Sequence, residues 1–152
     1  MADGFSITFS DEWLDVERRL RLFGEQVSKD ASIAALRATA TLMRASAREK
    51  VSRSSEKHFL KVKGTYVEIS PGNLKSKIRF RKIKKENTDP GTLRYQVYVM
   101  IKYAWYAKFL EFGRSNMAPQ PFMRPAFEEN VAKLTEVFKE RVYKFISDGG
   151  FL

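Results

Sequence analysis

The sequence predicts an α+β fold: a small antiparallel sheet of about four strands packed against a long alanine-rich helix and a C-terminal helix. Three observations carry this expectation. Apolar residues recur at three- and four-residue steps in two long stretches, one on each side of the chain's centre, as on the buried face of a helix. Between them, apolar and polar residues alternate with period two and are interrupted by turn chemistry, the pattern of half-buried antiparallel strands. Of the 152 residues 43% are hydrophobic, including 12 Phe, 6 Tyr and 2 Trp, which is enough for one ordered core in a chain too short for two. One domain over residues 1–152 is expected, with a proline-rich loop or arm near 113–125.

The elements follow in order. Phe5, Ile7 and Phe9 alternate with Ser6 and Thr8, a short strand with one buried face. Ser10 then caps a first helix whose inner stripe is Trp13, Val16, Leu20, Phe23 and Val27, with Asp11 and Glu12 at its positive end. Asp30 caps a second helix running to about Val51, with Ile33, Leu36, Ala40, Met43 and Ala47 inward and many alanines of high helix propensity. SRSSEK connects it to a strand or hairpin over Phe59 to Ile69, centred on Gly64. Pro71-Gly72-Asn73 makes a turn. A strand from Lys77 to Ile83, with Ile78 and Phe80 inward, pairs across the ENTDPGT turn with a strand from Leu93 to Ile101. There Tyr95, Val97, Val99 and Ile101 share one face, and Gln96, Tyr98 and Met100 the other. YAWYAKFLEFG forms a short helix stopped by Gly113, and an irregular loop with Asn116, Pro119 and Pro121 follows. The last helix starts near Pro125, carries Phe127, Val131, Leu134, Phe138, Val142 and Phe145 on one stripe, and ends at Gly149-Gly150.

Composition narrows the function. With no cysteine there is no disulfide framework, thiolate metal site or thiol nucleophile, which fits a reducing compartment or a particle assembled in one. The single histidine, His58, leaves no His-pair metal site and argues against a Ser/His triad. No stretch approaches the roughly 20 apolar residues of a membrane span, and MADGFSITFS lacks the basic and apolar regions of a signal peptide. A soluble intracellular product is expected. Lys and Arg total 28 against 18 Asp and Glu, a net charge of +10 that favours an acidic partner: nucleic acid, an anionic surface or an acidic protein.

The basic residues concentrate in KSKIRFRKIKK, where Lys75, Lys77, Arg79, Arg81, Lys82, Lys84 and Lys85 occur without one acid. On a strand, outward cations at alternate positions form a ridge with a spacing of roughly 7 Å, close to that of phosphates along one nucleic-acid strand. The same lysines also suit a solvated hairpin face that resists edge-to-edge aggregation, and both readings stand. No zinc finger, helix-turn-helix or RNP-like sequence points to base-specific readout. Glu68, Glu111, Asp89 and Asp148 are scattered over different elements, whereas a metal nuclease needs carboxylates that converge with a lysine. No phosphate-cradling glycine loop is present. No catalytic residue, metal or cofactor is therefore expected.

The remaining constellation, YAWYAKFLEFGRSNMAPQPFMRPAFEEN, packs Tyr103, Trp105, Tyr106, Phe109, Phe112, Phe122 and Phe127 around one proline-containing loop. So many aromatics in one place fit either the core or a subunit contact, and Phe109, Phe112, Phe122, Met123 and Arg124 are the candidates for the contact. This segment resembles the motif of the gene-product-ten-like tail-completion or neck proteins of long-tailed double-stranded-DNA phages. The matching residues are Tyr106, Ala107, Leu110, Glu111, Gly113, Pro119, Pro121, Phe122, Arg124, Pro125 and Ala126. A second family element, a Thr-Gly-x-Leu-Arg-x-Ser-Ile turn before a strand, is similar to Pro71 to Ile78, with proline in place of threonine and lysine in place of arginine. The order of elements is similar too.

The resemblance implies a non-catalytic virion protein at the head-to-tail junction, assembled in the bacterial host cytoplasm. It implies a homo-oligomeric ring that meets neighbouring neck and tail proteins, with the basic hairpin facing genomic DNA in the channel or an acidic neighbour. The rival expectation is a non-specific nucleic-acid-binding protein acting as a monomer or dimer.

Overall fold

The computed structural model describes Leu22 and residues 24–52, 56–84 and 92–148. The expected strand Phe5 to Phe9, the expected first helix through Trp13, Val16, Leu20 and Phe23, most of the ENTDPGT turn with Lys85, and the Gly149-Gly150 helix stop lie outside these residues.

Helix α1 spans Glu25–Lys50. It starts five residues ahead of Asp30, because the intervening sequence contains no helix breaker and the break comes at Gly24, whose φ of 83° ends the helical path. Toward its C-terminus the buried line is the expected one, Ala40, Met43 and Ala47, continuing to Val51. Toward its N-terminus the line runs through Ala31 and Ala35 rather than Ile33. Those two alanines nest against Phe138 and Val142, and a ring can seat there only where the facing side chain is a methyl group.

The four strands among the described residues form two separate two-stranded antiparallel ladders instead of one sheet. In the first, β1 (His58–Val62) pairs with β2 (Thr65–Ile69) in the register His58↔Ile69 to Val62↔Thr65. Lys63 and Gly64 both have positive φ, 49° and 86°, so the hairpin closes through the tight mirror-image turn that matches strand twist. In the second, β3 (Ile78–Lys82) pairs with β4 (Tyr95–Val99), Ile78 opposite Val99. The short helix α2 (Asn73–Lys77) stands between the ladders. It replaces the expected start of the strand at Lys77, and its buried Leu74 anchors the chain where a continuous sheet would have had to bend. The expected strand to Ile101 ends at Val99, because the amides of Tyr103 and Ala104 both donate to Met100 O and wind the chain into a turn that leaves Ile101 70% exposed.

Helix α3 (Ala107–Phe112) stops at Gly113 as expected. The single last helix expected from Pro125 is two helices, α4 (Met123–Glu128) and α5 (Val131–Ser147). The break is held by Asn130, whose side-chain amide donates to Ser46 Oγ at 2.9 Å and to Ala126 O at 2.8 Å and so ties the joint to α1. On α5, Leu134, Phe138 and Val142 are buried, while Val131, expected on the same stripe, is exposed because the joint rotates it outward. The main core joins Met43, Ala47 and Val51 of α1 to Leu74, Ile78, Ala104, Ala107, Phe122, Ala126 and Leu134. Each fully buried large side chain there contributes about 1.5–3 kcal/mol.

Candidate assembly and nucleic-acid surfaces

Helix α4 starts without a capping side chain, since its N-cap residue is Phe122. Its free amides are satisfied from a distance. Glu111 Oε2 accepts from the backbone N–H of Phe122 at 2.8 Å and of Met123 at 3.0 Å, and Oε1 accepts from that of Arg124 at 3.0 Å. One carboxylate on α3 thus does what a Ser or Asp at the N-cap usually does, and its charge also suits the positive end of the helix. The loop between closes on itself. Arg114 and Met117 exchange backbone hydrogen bonds of 2.8 and 2.9 Å, and Gln120 N–H donates to Leu110 O at 2.7 Å. Gly113 has φ 75°, and a Cβ there would lie 3.0 Å from both Met117 O and Pro119 Cδ, so the turn needs glycine on two counts.

This geometry revises the expected contact set. Phe122 is 2% exposed in the chain's own core and has no surface left for a neighbour, because the Glu111 clamp draws residues 122–124 inward. Met123, half-buried, packs on the same core. Segment 113–125 is accordingly a folded-back loop, not an arm projecting Phe122 and Met123. Phe112 remains outside at 57% exposure, and Arg124 is exposed. Phe109 is half-buried, edge-on to Trp105 with centroids 5.9 Å apart and under the Arg114 guanidinium at 5.4 Å. With Val51, Leu74, Tyr106 and Met117 these rings line an open groove of about 820 Å³, into which Asn73, Asn116 and Gln120 bring polar groups. Asn73 fixes one wall by donating to Tyr106 Oη at 3.0 Å and Tyr103 O at 3.2 Å. Trp105 is exposed within the groove, and other exposed apolar side chains are Ile101 and Tyr103 and, on the first hairpin, Phe59, Tyr66 and Val67.

The basic segment divides among elements. Arg79 and Arg81 are exposed on β3 and alternate with buried Ile78 and half-buried Phe80, as the period of two requires. Arg81 lies over the Tyr98 ring at 4.8 Å and donates to Gln96 Oε1 at 3.2 Å, so cations, Tyr98 and Gln96 share one face. Lys77 instead sits in the last turn of α2, half-buried, with its ammonium 5.0 Å from the Tyr103 centroid. Lys75 is half-buried on the same helix. Alternation puts Lys82 on the opposite side of β3 from Arg79 and Arg81, where it is exposed, and Lys84 is exposed beyond the strand. The ridge proper is thus Arg79 and Arg81, shorter than the run of charges in the sequence.

Two cations absent from that expectation adjoin it. Arg44 and Arg48 stand one turn apart on α1. The Arg44 guanidinium is 4.9 Å from the Phe80 centroid, and Arg48 Nη2 donates to Ile78 O at 2.8 Å. Burial, then the charges of Arg44 and Arg79, hold the Arg48 guanidinium below its ordinary pKa. An arginine repeat at four residues inside an alanine-rich helix is the signal that marks them, though it is as common on a solvated helix face. Among the described residues no group of three or more His, Cys, Asp or Glu is placed to hold a metal ion, and no helix is long and apolar enough to cross a membrane.

Compared with known proteins, residues 15–113, about two thirds of the chain, match the HK97-gp10-like family model, described as "Bacteriophage HK97-gp10, putative tail-component". Neither the curated proteins nor the solved structures gave a match.

Proposed function

This chain belongs to the HK97-gp10-like family of bacteriophage tail components, a structural rather than an enzyme family, and from that premise we propose that it is a ring-forming tail-completion or neck subunit that joins or completes the tail at the DNA channel. The observation that carries the ring is the set of exposed apolar side chains, Ile101, Tyr103, Trp105 and Phe112, together with an open aromatic groove. A lone soluble chain gains nothing from leaving such side chains in water, whereas a subunit with neighbours on both sides covers them. Phe112 and Phe109 are the contact residues of this reading, with Arg124 at its edge. Arg79 and Arg81 face the channel or an acidic neighbouring ring, and neck and tail proteins are the partners.

Deleting the gene from the phage or prophage that encodes it tests this reading. Filled heads and separate tails are expected to accumulate, and restoring the wild-type chain should join them. Normal joined particles from the deletion would overturn it.

A further inference from the structure

We propose that Arg44 and Arg48 form the socket for the Glu136 and Glu140 carboxylates of a second copy of this chain, a contact that rests on the ring-forming reading and specifies how neighbouring subunits meet. The socket is built but unbalanced. Arg44 and Arg48 are i and i+4 on α1, a spacing at which like charges repel. Both are held in place, Arg48 by Ile78 O and Arg44 by the face of Phe80, so they cannot swing apart into water. The Nε atom of each is buried with no hydrogen-bond partner, and a buried donor without one is rare enough to need a reason. The charges that act on Arg48 are those of Arg44 and Arg79, both positive. Guanidinium groups fixed together at half-buried positions are set to receive an anionic oxygen pair on their outer edges, the Nε atoms being enclosed.

Half-burial decides between the possible occupants. A duplex is a stiff rod that meets protruding charges first, here the exposed Arg79, Arg81 and Lys84. A glutamate reaches into a recess on a flexible stem and offers the planar oxygen pair that a guanidinium fork matches. The chain itself carries a counterpart. Glu136 and Glu140 on α5 are exposed, stand one turn apart, and are the sole acidic pair at that spacing among the described residues. Lys133 and Lys144 lie within a turn of them, yet neither glutamate makes an ion pair among the described residues. Two carboxylates spaced one helical turn apart match two guanidinium groups spaced one helical turn apart. One copy does not satisfy itself, because α1 and α5 meet through Ala31, Ala35, Phe138 and Val142, while the arginines lie against β3 and the glutamates face solvent. A contact between two different patches repeats head to tail, which is the geometry that closes rings.

Charge exchange followed by sedimentation velocity tests the contact. The pair Glu136→Lys/Glu140→Lys alters only solvated positions and keeps the fold, so it reports even if Arg44→Glu/Arg48→Glu fails to fold by circular dichroism. Each double variant alone is expected to self-associate at least about tenfold more weakly than wild type. All four changes in one chain are expected to restore association at every junction, and an equimolar mixture of the two double variants at each junction between unlike chains, since those junctions pair opposite charges. If both variants assemble as well as wild type, the socket assignment is wrong while the ring reading stands. If wild type itself never associates, the ring reading falls and the socket with it. If the arginine variant loses DNA retention with assembly unchanged, a phosphate is the occupant and the proposal is wrong.

Discussion

The Glu111 carboxylate lies 2.8 Å from the backbone nitrogen of Phe122, eleven residues later, and through that bond α3 fixes where α4 begins. Leu110-Glu111-Phe112-Gly113 and Pro121-Phe122-Met123-Arg124-Pro125-Ala126 are therefore two halves of one joint. The glutamate supplies the acceptor, the glycine the reversal, and the proline-flanked segment the helix start. Glu111→Ala leaves two partly buried donors and one exposed donor without their acceptor, and about 2–3 kcal/mol of stability should be lost, lowering Tm by roughly 4–12 °C. Glu111→Gln retains one acceptor oxygen and should lose less. Thermal unfolding followed by circular dichroism checks both, and an unchanged Tm for the alanine variant would remove the clamp's role.

Phe122 and Phe112 should separate folding from assembly. Phe122→Ala opens a cavity in the main core and is expected to cost about 3–5 kcal/mol, while Phe122→Asp, burying a charge, should prevent folding. Phe112→Ser changes an exposed position, so its stability in urea should stay within about 0.5 kcal/mol of wild type while incorporation into particles falls. A Phe122→Asp chain that folds normally would contradict the core placement. A Phe112→Ser chain that incorporates normally would remove that residue from the contact.

The first hairpin carries a local pH response. Lys57 Nζ lies 2.8 Å from Glu68 Oε1, and this hydrogen bond and the lysine's charge hold the Glu68 carboxyl below its ordinary value of 4.5, with Ser70 adding a weaker bond. Because the folded pKa is the lower one, the interaction contributes above the unfolded pKa and is lost as pH falls through the folded value. Both partners are well exposed, so the effect on overall stability is small. Carboxyl NMR should give Glu68 a midpoint below 4.5 that rises in Lys57→Ala, and equal midpoints in the two chains would refute the pairing.

Arg79→Ser/Arg81→Ser should leave the fold intact, because both side chains are exposed. If this face meets DNA, the variant should bind duplex DNA more weakly irrespective of sequence, and the salt dependence of log K should shrink by about 0.9 for each phosphate contact removed. Filter binding across a salt series gives both quantities. Unchanged affinity and slope would leave the ridge as a solubilising face.

Helical spacing located α1 and α5, whose buried side chains recur at three- and four-residue steps, and alternation located β3, where Ile78 and Phe80 turn inward between the exposed Arg79 and Arg81. Legibility stopped where one residue's role depends on another far along the chain. Glu111 reads as a scattered acid until Phe122, an N-cap with no acceptor, is seen to need one. Phe122 reads as an interface aromatic because loop aromatics and core aromatics look alike in sequence. Arg44 and Arg48 lie within a helix whose alanines draw attention to packing, and only the approach of β3 turns them into a cluster. Likewise, four well-patterned strands do not declare whether they share a sheet, and here the five-residue helix α2 separates them into two ladders.

Native mass spectrometry of the purified chain over a range of concentrations, with electron microscopy of the same sample, tests the ring most directly. A single closed oligomer of defined copy number, visible as a ring with a central channel, is the predicted result. A chain that stays monomeric or dimeric at every concentration and associates only by coating DNA would contradict it, and would make the protein a non-specific nucleic-acid binder instead.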